Sequence, residues 1–252
     1  MATTPMPAST PVAPPQAQIS PLGRIFGVLF SPKPTFADIA RRPNWILPVV
    51  ISTILSLLIV TVMNQRVDWQ DFISQQIDKN PQAAQMSSEQ KAKQVEVSIK
   101  VTTYIVYGIG VLGAVLFAVV VGGIMMLAYN LLAGAGASFP QSLAIAAHSL
   151  MVGIFSAPIF LLVLFLRPKG TIDPENPVAT NLAAFLPEDS AKWLMALCKS
   201  IDIFTIWTLI LIAIGFAAVN PRKLRGAKPY VIAFSLWGAM VVVKTLWAFI
   251  FS

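Results

Sequence analysis

The chain alternates long apolar runs with short polar interruptions. A helix of about 20 apolar residues crosses the ~30 Å hydrocarbon core of a bilayer. Five runs approach or exceed that length: Trp45–Met63, Val101–Ala133, Gln141–Leu166, Ile201–Val219 and Tyr230–Phe251. The pattern predicts an all-α integral membrane protein with five transmembrane helices. Trp45 sits where interfacial aromatics belong, and Pro48 falls in a first turn, where proline is tolerated. The stretch Ile203–Val219 carries no charge and stops at Asn220-Pro221, which ends a helix.

The interruptions have patterns of their own. Met1–Ser20 is built from Pro, Ala, Thr, Ser and Gln without a charged side chain, which predicts a disordered tail. It lacks the basic start and apolar core of a signal peptide, so no cleavage is expected. In Pro21–Pro43, Leu22, Ile25, Phe26, Leu29 and Phe30 recur at helical spacing with Arg24 on the other side, as in a helix lying in the membrane interface. Ser31-Pro32-Lys33-Pro34 breaks it, and Thr35 with Asp38 predicts a capping box for a second short helix closed by Arg41 and Arg42. The segment serves either as a surface anchor or as a partner-binding element.

Between the first two spans, Trp69, Phe72, Ile73 and Ile77 form one apolar helical face, resting on the membrane or the bundle. Asn80-Pro81 ends that helix, and Ser87 with Gln90 predicts a second capping box. No breaker follows until Gly134, so Ser88–Ala133 reads as one helix of roughly 65–70 Å. Gly110, Ala114, Ala118 and Gly122 recur every fourth residue. Such a ridge admits a second helix closely, either within the bundle or in a homo-oligomer. Ser149, Gly153 and Ala157 repeat the pattern in the third span, where Pro158 predicts a kink. Arg167–Asp189 is a polar loop, and Ala191–Lys199 a short amphipathic lead-in to the fourth span.

Composition agrees with this pattern. Apolar residues make up 56% of the chain and charged residues 12%, whereas soluble domains carry about 25% charged residues. The net charge of +7 lies beside the spans, where topology and anionic lipid explain it and nucleic-acid binding is not needed. The turn after the fourth span carries Arg222, Lys223, Arg225 and Lys228 without an acid. Those residues are expected to contact anionic lipids. They also place Met1–Asn44, Gly134–Pro140 and Asn220–Pro229 in the cytoplasm, with the C-terminus outside. One cysteine, Cys198, excludes an internal disulfide, and one histidine, His148, excludes a His/Cys metal cluster.

Two ionisable groups fall near or within the spans. Asp202 lies at the outer end of the fourth and Lys244 inside the fifth. Counted from the shared turn, their depths agree to within about one helical turn, so an ion pair between antiparallel neighbours is expected. The alternatives are a helix cap at Asp202 and a snorkelling Lys244. His148, a third of the way into the third span, and Asn130, near the cytoplasmic end of the second, suit hydrogen bonding across helices, and His148 also suits a proton relay. No phosphate loop, HExxH or GxSxG occurs. The acids Asp173, Glu175, Glu188 and Asp189 sit among Pro and Asn and read as solvated surface. Neither an enzyme, a metal nor a cofactor is expected.

Three segments in order, LFSPKPTFADIARRPNWILPVV (Leu29–Val50), QMSSEQKAKQ (Gln85–Gln94) and SIDIFTIWTLILIAIGFA (Ser200–Ala217), resemble the bacterial branch of the Yip1-domain family of multi-span membrane proteins. The resemblance runs from Pro21 to Ser252. It implies a five-span helical domain with a cytoplasmic N-terminus, in a bacterial inner membrane, and brings no catalytic residues. Eukaryotic members act in vesicle trafficking and bind Rab-type GTPases, a machinery that bacteria lack. Asp202, Phe204, Thr205, Trp207 and Gly215 match its late-span pattern as structural positions. The expected role is non-enzymatic: organising membrane or binding protein and lipid partners. The rival is a small transporter or lipid-handling protein built on His148, Asp202 and Lys244.

Overall fold

The structure, a computed structural model, describes residues 18–170, 180–187 and 189–251. Nearly all of the expected tail, and the acids Asp173, Glu175 and Glu188, lie outside the described residues. Within them the chain forms ten α-helices: α1 (Pro21–Phe30), α2 (Pro32–Arg41), α3 (Ile46–Arg66), α4 (Trp69–Asp78), α5 (Ser88–Ala133), α6 (Phe139–Ser149), α7 (Gly153–Leu166), α8 (Lys192–Ser200), α9 (Ile203–Val219) and α10 (Lys228–Ile250). The extended backbone that pairs is an isolated bridge between Asn181 and Asp202.

Four helical segments are long and apolar enough to cross a membrane: α3, α5, the continuous α6–α7 segment and α10. With 17 residues, α9 is apolar throughout but shorter. The bundle is held together by α3 on α5 and α7, α5 on α6, and α9 between α2, α6 and α10.

Local chemistry explains the boundaries. Ser87 accepts from the Gln90 amide while Gln90 accepts from the Ser87 amide; this reciprocal cap starts α5 at the expected residue. Its 46 residues reach about 69 Å, more than twice the hydrocarbon thickness. The helix stops at Gly134, whose φ of 58° is the left-handed conformation that glycine adopts without strain. Near its start, α5 carries α4, which buries Ile73 against it, so this apolar face rests on the protein. In the third span the helix departs from α geometry at Leu150–Val152, ahead of Pro158.

The small-residue ridge of α5 is used inside the bundle. Gly110 faces Leu57 and Val60 of α3, Ala118 is fully buried, and Gly122 lies against the backbone of α6. A Cβ at Gly122 would stand 3.2 Å from the backbone of Leu143, and backbone cannot swing away as a side chain can. Gly122→Val is therefore expected to cost about 1–3 kcal/mol by overpacking, read as a lowered midpoint of thermal unfolding in detergent.

The first two helices bury one side in the bundle and leave one face of α1 exposed. They form a hairpin seated in the bundle, with α2 along α9 and α6 and α1 against α6. Ile25, Val28, Phe36 and Ile39 are in the core. At the hairpin tip, Phe30 meets Phe155 of α7 edge-on, and Phe155 stacks on Trp207 of α9. Phe155 lies sixteen residues into the segment beginning at Phe139, about 24 Å along it. The tip thus reaches far into the bundle.

A candidate functional site at the basic end of the bundle

Among the described residues the buried polar and charged side chains are Arg24, Thr35, Asp38, Ser142, His148 and Ser149, and all lie on α1, α2 and α6. The hairpin inverts the usual amphipathic arrangement: its polar groups point inward. Leu22, Phe26 and Phe30 form the exposed stripe of α1, one turn apart. Arg24 faces the interior, where Nε and Nη2 donate to Oδ2 of Asp38 at 2.8 and 2.7 Å. Nη1 of Arg24 donates to the Arg42 carbonyl. Arg42 takes the other carboxylate oxygen at 2.9 Å. One carboxylate is thus shared by two guanidinium groups.

The capping box expected from Thr35 and Asp38 does not form. The helix begins three residues earlier, at Pro32, because proline suits a first turn. Thr35 instead donates to the Ser31 carbonyl. A Cβ at Gly27 would collide with the Thr35 hydroxyl, so the glycine sets the closeness of the two helices. Next to them, His148 is fully buried, its Nδ1 2.8 Å from the Ala144 carbonyl of its own helix. That bond satisfies the ring locally, where a bond across helices was expected. The Ser149 hydroxyl is buried without a partner.

At the same end the connecting turns are locked together. Asn130 pairs in both directions with the backbone of Ala137, spanning the turn after α5 where a cross-helix bond was expected. Asn220 donates to the Ala135 carbonyl, Lys223 Nζ to that of Gly134, and Gln141 to that of Ala40. Tyr129, fully buried, stacks on Phe216 at 4.1 Å and donates its hydroxyl proton to the Pro229 carbonyl. Leu224 is buried beneath the basic turn, while Arg222, Lys223, Arg225 and Lys228 are exposed.

At the opposite end, Asp202 caps α9. Its Oδ1 accepts from the amides of Phe204 and Thr205, and its Oδ2 from the Thr180 hydroxyl. The expected ion pair is absent: the described residues hold no contact between Asp202 and Lys244 among their salt bridges, and Lys244 lies on the exposed side of α10. The carboxylate is already spent on its own helix start. Asp202→Ala is expected to cost about 0.5–2 kcal/mol as a lost cap and Lys244→Met less than about 0.5 kcal/mol. A double-mutant cycle on thermal unfolding should return no coupling; a clear coupling energy would restore the pair.

No group of three or more His, Cys, Asp or Glu among the described residues is placed to hold a metal ion. A groove of about 680 Å³ between α3, α5 and α7 is lined by small and apolar residues, among them Ser52, Ser56, Gly113, Ala114 and Gly153. Its lining holds no ionisable side chain; its polar groups are the hydroxyls of Ser52, Ser56 and Ser156.

The ion triad of Arg24, Asp38 and Arg42 escaped the reading of apolar spacing. One signal was present: Asp38 is the single carboxylate in the first 44 residues, set among four basic residues. A lone acid in so basic a segment already has a partner to find.

The Yip1 domain family model matches residues 26–248. Among curated proteins, the chain is similar to the membrane protein YknW of Bacillus subtilis (strain 168), 24% identical over 221 residues, covering 86% of this chain and 87% of that protein. No solved structure matches the chain.

Proposed function

The chain belongs to the Yip1-domain family, and on that premise we propose that it is a five-span, non-enzymatic protein that organises a bacterial inner membrane or binds protein and lipid partners there. The reading treats residues 21–252 as one membrane domain preceded by the Pro/Ala-rich tail. The fifth span is α9, whose 17 residues cover about 25 Å, close to the hydrocarbon thickness.

One observation carries the reading. The charged side chains buried in the bundle, Arg24 and Asp38, are paired with each other inside the hairpin, and the 680 Å³ groove is lined by serine hydroxyls and apolar groups with no ionisable side chain. Substrate pathways and intramembrane chemistry are commonly marked by ionisable groups facing a cavity. Charge supports the orientation. Raw Lys/Arg counts barely separate the two sides, but density does: the turn 220–229 holds four basic residues in ten, against five in the thirty-seven residues of 64–100. By the positive-inside rule that end is cytoplasmic. The hairpin's exposed side, with Leu22, Phe26 and Lys33, is the part of the 21–43 segment open to a partner.

The test is purification of tagged protein from native membranes in a mild extractant, with mass spectrometry of what accompanies it. A reproducible protein partner, lost in Phe26→Ser or Lys33→Glu while thermal stability is kept, is the expected result. A specific solute without any protein partner would overturn the reading in favour of a transporter.

A further inference from the structure

We propose that the basic end binds the phosphate groups of anionic phospholipids, and that the bound headgroups hold the α1–α2 hairpin to the α9–α10 turn. This rests on the membrane placement given above.

The geometry begins with α2 and α9. Phe36 of α2 lies against Gly215 of α9, where a Cβ would be 3.1 Å from its ring. Both helices run toward the same end: the end of α2 is tied to the start of α6 by Gln141 on the Ala40 carbonyl, and the end of α9 to the turn before α6 by Asn220 on that of Ala135. Their C-termini therefore emerge at the same end, with Arg41 and Arg42 at the end of α2 and Arg222 and Lys223 after α9.

That end is short of negative charge. Asp38, its single carboxylate, has both oxygens occupied, one by Arg24 and one by Arg42. Cations at helix C-termini complement the helix dipole, which accounts for Lys223 on the Gly134 carbonyl and Arg41 on that of Ala37. It does not account for Arg222, Arg225 and Lys228. Lys228 opens α10, a helix of 23 residues with no side-chain cap and no acid in its first turn. A cation at a positive helix end is unfavourable. No salt bridge reaches these three residues among the described ones. Buried Leu224 keeps their backbone against the bundle, so the charges project outward. An anion there would be met by three cations.

The surroundings select lipid over a soluble acidic partner. Leu131, Leu132, Phe139 and Val231 are exposed within a turn or so of the Gly134 turn or of Lys228. Cations flanked by exposed apolar side chains match the boundary between headgroups and acyl chains. A water-soluble acidic surface would leave those side chains uncovered.

The experiment uses the purified full chain in zwitterionic nanodiscs, with phosphatidylglycerol raised stepwise at constant total lipid. The midpoint of thermal unfolding should rise and hydrogen exchange of the α2 amides should slow, both effects weakening with added salt. Each basic residue near an anionic surface is worth roughly fivefold in affinity. The triple variant Arg222→Gln, Arg225→Gln and Lys228→Gln should therefore need about a hundredfold more anionic lipid for the same shift. Lys79→Gln with Lys93→Gln, exposed at the other end, should respond like the native chain. If the triple variant does not fold, the three single variants should each show part of the loss. An unchanged response in the triple or single variants overturns the proposal. So does an equal shift produced by soluble glycerol phosphate, which would make the site one for free phosphate. A chain that responds to lipid but captures no protein partner keeps this inference and removes only the protein arm of the proposed function.

Discussion

Asp38→Ala is expected to destabilise the folded chain by about 3–5 kcal/mol, the cost of stripping the partner from a buried charge. The reason lies in the difference between its two partners. The Arg24 side chain is 10% exposed and that of Arg42 41%. Without Asp38, Arg42 turns to water, but Arg24 stays inside with an uncompensated guanidinium. Arg42→Gln is accordingly expected to cost less than about 1 kcal/mol, as for exposed pairs. Removing both buried charges together, Arg24→Met with Asp38→Leu, should recover most of the loss, because well-packed apolar groups replace buried ion pairs at little cost. Unfolding in detergent, followed by circular dichroism, reads all three. If Asp38→Ala were as stable as the native chain, Arg24 would have a route to water that the structure denies it.

Phe36→Ala should produce a loss of similar size, about 3–5 kcal/mol for a phenylalanine removed from a packed core. Its ring is fully buried against Gly215 of α9, with Ile145 of α6 also packed on that glycine. The glycine fits because the ring and the isoleucine already fill the space a side chain would take. Neither helix can close the gap left by the ring, since α9 is also fixed through Phe216 on Tyr129. The loss is local, so it should appear as protease cleavage within residues 21–43 at temperatures where the spans remain helical. Cleavage that required melting of the whole bundle would show instead that the hairpin and the spans unfold as one unit.

Much of this architecture was legible in the sequence because membrane helices announce themselves by length and punctuation. The capping residues Ser87 and Gln90 placed the start of α5 to the residue, and Gly134 its end. Asp202 carried a cap signal and forms a cap. The hairpin was legible as two helices and illegible as to place. Leu22, Ile25, Phe26, Leu29 and Phe30 were read as one apolar face in the membrane interface with Arg24 opposite; the structure splits that face, leaving Leu22, Phe26 and Phe30 exposed and burying Ile25 and Leu29 beside Arg24. In a membrane bundle the opposite side is the protein interior. Amphipathic spacing fixes which residues share a face and leaves open which medium that face meets; here Asp38 supplied the answer. The Asp202–Lys244 expectation failed for a related reason: equal depth along two helices says nothing about their rotation, and Asp202 had a nearer use for its charge.

The seat of Phe36 is completed by Gly215, roughly 180 residues later in the chain. At about 5–20 residues per second of synthesis, the hairpin would be made some 10–35 s before the last wall of its seat leaves the ribosome. Through that interval Arg24 and Asp38 have each other but an incomplete bundle around them, and α2 lacks α9, the helix it packs against most. The hairpin is thus made well before α9 and is among the last elements to settle. A truncated chain lacking α9 should leave the hairpin exposed to proteolysis.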